Sequence, residues 1–171
     1  MGKQTLALLA ALDTACVGVK DLGQAAAESF QQYPDYAIIT SFPGLADSTG
    51  ARVLAEIGDD RSRFADARAL KAYAGSAPIT RASKRSICIT HRHIKNNRLA
   101  TAGWIWAFAA ATNCPAARQH YRRRREHGDR HGAATRHLFN KLLGQLYYCL
   151  QNRELFNQDR AFRQAITAIA A

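Results

Sequence analysis

The stretch Ala37-Ile38-Ile39-Thr40-Ser41-Phe42-Pro43-Gly44-Leu45-Ala46-Asp47-Ser48-Thr49-Gly50-Ala51-Arg52-Val53-Leu54-Ala55-Glu56-Ile57-Gly58 decides the fold class. A short apolar helix meets Pro43-Gly44, turns, and re-enters a helix that stops at Gly58. Residues 34–58 therefore read as a helix-hairpin-helix-like unit. A glycine in such a hairpin lets backbone N–H groups approach a phosphate, and the next helix N-terminus adds partial positive charge. Gly44 is the candidate for that approach. A plain helical turn accounts for the same residues.

Working outward, Gln4 to Gln32 reads as one helix. Leu9, Leu12, Cys16, Val19, Gly23, Ala26 and Phe30 follow alternating spacings of three and four. That is a heptad seam, so residues 1–33 read as a coiled-coil-like helix. An amphipathic helix packed on its own domain fits the same spacing. Tyr33-Pro34-Asp35 ends it, because the residue before proline is pushed out of the helical region.

Toward the C-terminus, Asp59 to Arg63 is a polar loop and Asp66 to Tyr73 a short helix. Phe64, Leu70 and Tyr73 are its inward anchors, and Ala74-Gly75-Ser76-Ala77-Pro78 breaks it. Ile79 to Arg98 has no clean helical period and reads as an irregular basic segment, with room for an extended piece at Ser86 to Thr90. Leu99 to Thr112 is hydrophobic nearly all round, which predicts a core helix. Ala116 to His127 is an arginine-dense helix, and His131 to Gln151 is amphipathic. Residues 156–171 read as a weakly periodic tail that frays. The sum is a mainly α protein, with one domain over residues 34–155.

The charge points to a polyanionic partner. The 171 residues carry 24 Lys and Arg against 13 Asp and Glu, a formal charge of +11. Acids cease after Asp66 and return only at Glu126; between them stand thirteen cations. Such a stretch neutralises phosphates and releases their counterions. No apolar run approaches the roughly 18 residues that span a bilayer. Cys16, Cys88, Cys114 and Cys149 form no CxxC pair, so buried free thiols and a reducing cytoplasm are expected.

Candidate chemistry is sparse. Nine of the thirteen acids lie at or before Asp66, away from the basic stretch, which disfavours a carboxylate metal centre. The pairs His91/His93 and His127/His131 suit phosphate or base contacts better than metal binding. Ser83 lies among Arg81, Lys84 and Arg85. Nearby cations depress a hydroxyl pKa and stabilise charge developing on phosphoryl oxygens. From the residues alone, a serine in a basic loop is more often a phosphate hydrogen-bond donor.

Several segments together resemble one family. They are Phe42-Pro43-Gly44-Leu45, Leu54-Ala55-Glu56-Ile57-Gly58-Asp59, Arg63-Phe64 and Leu70 to Pro78. Thr80-Arg81-Ala82-Ser83, His93 to Leu99, His120 to Arg124 and Leu138 to Leu143 continue the series. This pattern is similar to the C-terminal domain of the IS110/IS116 type insertion-sequence transposases, also called bridge-RNA-guided recombinases. The resemblance implies DNA transposition and recombination. A serine, matched by Ser83, attacks a DNA phosphodiester and forms a phosphoserine intermediate. It implies DNA and a guide RNA as partners, and magnesium held by an acidic N-terminal domain rather than by this chain. The N-terminal helix would assemble homo-oligomers or dock on a full-length transposase. Met1 opens almost directly on that helix, so a truncated reading frame is expected, in a bacterial cytoplasm near the nucleoid. Many relatives follow the serine with glycine, where Lys84 stands here.

The expected nucleic-acid contacts are Gly44, Arg81, Lys84, Arg85, Arg92, Lys95, Arg98, Arg122, Arg123, Arg124 and Arg125. The rival reading is a non-catalytic DNA- or RNA-binding fragment that associates with an intact transposase, or a degenerate remnant.

Overall fold

The computed structural model describes residues 2–83, 86–90 and 92–162, and at Arg81 and Ile87 the backbone alone. Eight helices and one hairpin follow in order: α1 Gly2–Gln31, α2 Tyr36–Thr40, α3 Asp47–Ile57, α4 Ala67–Tyr73, β1 Ile79–Ser83, β2 Ser86–Thr90, α5 Asn97–Asn113, α6 Pro115–Glu126, α7 His131–Asn152 and α8 Gln158–Phe162. The mainly α expectation holds.

Helix boundaries follow local chemistry. The Asp66 carboxylate accepts the Ala69 N–H at 2.7 Å and starts α4. Asn96 does the same for α5, accepting the Leu99 N–H at 3.0 Å. Each satisfies a donor that the first helical turn leaves unpaired. Pro115 occupies the first turn of α6, where its missing N–H is harmless. Arg153, left-handed at φ 55°, ends α7.

The core gathers around α5, which packs on α3, α6 and α7, while α4 packs on α7. Leu99, Trp106, Leu138, Leu142, Leu143 and Leu146 are fully buried. Truncating one such leucine to alanine costs about 2–5 kcal/mol. The Pro43-Gly44 turn lies directly on α5, and a Cβ at Gly44 would stand 2.6 Å from the Ala110 nitrogen.

Four expectations need correction. Residues 79–90 form an antiparallel hairpin instead of an irregular segment, with Ile79 opposite Thr90 and Ser83 opposite Ser86; its second strand is the extended piece expected at Ser86 to Thr90. Helix α5 is buried on one side only, for Trp104, Ile105 and Phe108 on its other side are exposed. Only Cys114 and Cys149 are buried thiols; Cys16 and Cys88 are exposed. The expected tail docks over its first half: Phe156 stacks on Phe42 at 4.4 Å, its N–H donates to Ser41 Oγ at 2.9 Å, and Ala161 is buried. Residues 163–171 lie outside the described residues. Of the two readings of the α1 seam, the helix packed on its own domain does not fit, since Leu9, Leu12 and Val19 are exposed and α1 meets the domain near Phe30.

Candidate nucleic-acid interface

The hairpin presents Ser83. Thr80, Ala82 and Ser83 of β1 and Ser86, Cys88 and Ile89 of β2 are exposed, so side chains on both faces meet solvent. A strand packed on a body hides one face, whereas this hairpin stands out from the helices. Four residue steps carry Ser83 roughly 14 Å beyond Ile79. Lys84 and Arg85, which follow Ser83 in sequence, lie outside the described residues, as does His91. The Arg81 backbone belongs to β1, paired with Cys88.

A polar node fixes the base of the hairpin, and the sequence reading missed it. Asn96 donates through Nδ2 to Glu56 Oε2 and to the Tyr73 hydroxyl, both at 2.7 Å, while its N–H donates to the Tyr73 carbonyl at 2.8 Å. Arg63 donates to the Ile57 carbonyl at 2.8 Å and to the Tyr73 hydroxyl at 3.0 Å, closing the end of α3. On the other strand's side, Ser76 is buried and donates toward Asn140 Oδ1 at 3.1 Å. Both feet of the hairpin are therefore tied to the helical body. The signal was present in sequence as Glu56, Arg63, Tyr73 and Asn96, but their convergence is a tertiary fact.

The four consecutive arginines of α6 are not equivalent. A helix turns about 100° per residue, so they point in different directions. Arg118, Arg122 and Arg125 share the exposed side, at spacings of four and three. Arg124 instead pairs with Asp129 at 2.6 Å and donates to His137 Nε2 at 3.0 Å. Arg123 is partly buried, and its Nε has no partner. Arg125 reaches the Asp129 carbonyl at 2.8 Å, and Arg118 donates to the Ala111 carbonyl at 3.1 Å, near the end of α5.

Cations also crowd the inner side of α6. His120 is pushed down to about 4, first by burial and then by Lys141, Arg123, Arg124 and His137. Burial also lowers Lys141, helped by Arg123 and Lys71, and lowers Lys71, helped by Arg68. Burial and Arg124 lower His137 against the opposing pull of Asp129.

The remaining expected contacts are scattered. Lys95 lays its stem over Gly75, where a Cβ would meet Lys95 Cδ at 2.1 Å. Arg92 is half-buried, and Arg98 is exposed at the first turn of α5. Gly44 has the predicted left-handed backbone, φ 83°, but its close approach is to α5.

Carboxylates are engaged in structural roles. Asp35 pairs with Arg61, Asp47 accepts from Tyr36 and Gln31, Asp66 caps α4, and Glu154 pairs with Arg160. Among the described residues, no group of three or more His, Cys, Asp and Glu is placed to hold a metal ion, and no helix is long and apolar enough to cross a membrane.

Residues 36–122 match the family model described as Transposase IS116/IS110/IS902 family. The chain belongs to that family. It is 59% identical over 169 residues to the mini-circle putative transposase for IS117 of Streptomyces coelicolor, covering 99% of this chain and 41% of that protein. It is 35% identical over 123 residues to an uncharacterized 43.6 kDa protein of insertion element IS110 from the same organism, covering 71% of this chain and 30% of that one. An uncharacterized 42 kDa protein of insertion element IS900 from Mycobacterium paratuberculosis is 32% identical over 131 residues, with 76% and 33% covered. The chain thus spans about two fifths or less of the length of these relatives. The family match runs from α2 through the polar node and the hairpin into the first two thirds of α6.

Proposed function

We propose that this chain is the serine-carrying, nucleic-acid-holding domain of an insertion-sequence transposase, acting in DNA transposition with Ser83 as nucleophile. The observation that carries this reading is the exposure of Ser83 at the outer end of β1, clear of the helical body. Arg81, Lys84 and Arg85 surround it in sequence. In the reaction the Ser83 Oγ–P bond forms as the P–O bond to a deoxyribose breaks. The serine proton ends on the released sugar oxygen, and cations stabilise the phosphorane-like charge. Magnesium, in this reading, is held by residues other than these, as the family resemblance implies. The exposed arginine row of α6 tracks a nucleic-acid backbone, DNA or the guide RNA that the family resemblance implies.

Trapping tests the assignment. The protein is incubated with element-end DNA, guide RNA and magnesium, with and without a full-length relative. A denaturation-resistant protein–DNA adduct that Ser83→Ala abolishes is expected. An adduct that survives the substitution, or tight binding with no adduct in either mixture, contradicts the nucleophile.

A second reading is a non-catalytic fragment that joins an intact transposase. The exposed Leu6, Leu9, Leu12 and Val19 of α1 favour it, since an apolar helix side of this kind suits a partner helix. Failure to co-assemble with a full-length relative contradicts it.

A further inference from the structure

The exposed side of α5 borders a cavity that no step above uses. It measures about 680 Å³ and lies between the end of α4, the first half of α5 and the start of α7. Its walls include Trp104 and Phe139, and Lys95, Arg136, Asn97 and Thr101 supply polar groups. Among the described residues, no carboxylate lines it.

Both aromatic walls are held in place. Phe139 lies beneath Gly103, where a Cβ would stand 2.1 Å from the ring, and it packs edge-on to Trp106 at 6.1 Å. Trp104 meets the His131 ring edge-on at 5.5 Å, and the Tyr121 hydroxyl is 2.8 Å from His131 Nδ1. Gly132 lies beside the indole, where a Cβ would be in ordinary contact at 3.7 Å from Trp104 Cη2. Trp104 is nonetheless 41% exposed. A large aromatic kept at the surface by a fixed scaffold of rings is built for contact with a flat partner.

We propose that this cavity seats an unpaired nucleobase of a single strand, stacked on Trp104, with flanking phosphates held by Lys95 and Arg136. The match is one of chemistry: an apolar aromatic wall faces the base, and an unopposed cationic rim faces the phosphates. The size is that of an ordinary small-ligand pocket. A second concavity of about 330 Å³ continues the path along α5, lined by Phe108, Tyr121, His131, Arg118 and Arg122, again without a carboxylate. Aromatic and cationic groups thus alternate along one side of the domain, the pattern of a single-strand track. Duplex DNA, whose bases are stacked on one another, gains nothing from Trp104. The proposal rests on the nucleic-acid reading above and goes beyond it in naming the strand state.

Intrinsic fluorescence makes the test direct, because Trp106 is fully buried and forms a constant background to Trp104. The intact 171-residue protein is titrated with a thymidine single strand, with the same strand made abasic, and with a duplex. The base-bearing single strand is expected to quench Trp104 and to bind more tightly than the abasic one. Trp104→Ala weakens single-strand binding about 10-fold and leaves duplex binding within about twofold. Trp104→Phe, which keeps an aromatic face and tests against misfolding, restores most of the affinity. Equal binding of base-bearing and abasic strands, or unchanged single-strand binding by Trp104→Ala, overturns the base seat while leaving the wider interface standing. Absence of binding to all three polymers overturns the nucleic-acid reading itself.

Discussion

Trp106 donates its indole N–H to the Pro43 carbonyl at 3.0 Å, joining the turn after α2 to the middle of α5. The bond also satisfies the one polar atom of a fully buried tryptophan. Gly44, next in the chain, then passes so close to α5 that a side chain meets backbone. The Pro-Gly turn is thus bolted to the core helix, and the glycine works inward.

Gly44→Ala therefore strains a left-handed residue and forces a backbone clash. A loss of about 2–4 kcal/mol is expected, with a melting temperature lower by roughly 5–15 °C. Below the transition, the salt dependence of DNA binding stays as in the parent. A reduced salt slope with unchanged stability would instead place a phosphate at Gly44.

Asn96 caps α5 and bridges Glu56 to Tyr73. Asn96→Ala removes the cap and the Nδ2 bonds to Glu56 and Tyr73, and costs about 1–3 kcal/mol in urea unfolding. Asn96→Asp sets a carboxylate against Glu56 and destabilises further. Equal stability of parent and Asn96→Ala would remove the node as an anchor of the hairpin.

His120 sets an acid limit. Its folded pKa of about 4 lies below the ordinary 6.5, so between those values the unfolded chain binds more protons. Stability is fully present above about pH 6.5 and is lost as pH falls toward 4, with His137 acting in the same direction. The melting temperature should fall on the order of 5 °C across that window. His120→Gln should flatten the dependence; an identical pH profile in the variant contradicts it.

The helices were legible because their signals are local. Asp66 and Pro115 mark starts, and Leu138, Leu142 and Leu146 recur at helical spacing. The hairpin was not. Its first strand, Ile79 to Ser83, gives no apolar alternation, and Lys84-Arg85 lacks the Asn-Gly or Asp-Gly signal of a tight turn. Composition also could not say which side of α5 is buried, since Trp104 and Trp106 look alike in sequence and differ only in what packs beside them. Among the four arginines, the run was plain, but their division of labour depends on Asp129 and His137 arriving from the next helix.

Arg124 accordingly serves the fold more than the interface. Arg124→Ala unpairs Asp129 and is expected to destabilise by about 1–2 kcal/mol in thermal unfolding, with little change in the salt slope. A slope lower by about one unit with unchanged stability would return Arg124 to the binding surface.

The most direct test of the central claim is the salt dependence of duplex DNA affinity for the parent and for Arg122→Ala combined with Arg125→Ala. Each arginine that neutralises a phosphate contributes about 0.9 to the slope of log K against log salt. The exposed row of α6 predicts a slope smaller by about two units in the double variant, with the fold intact. An unchanged slope would contradict the assignment of this surface to nucleic acid.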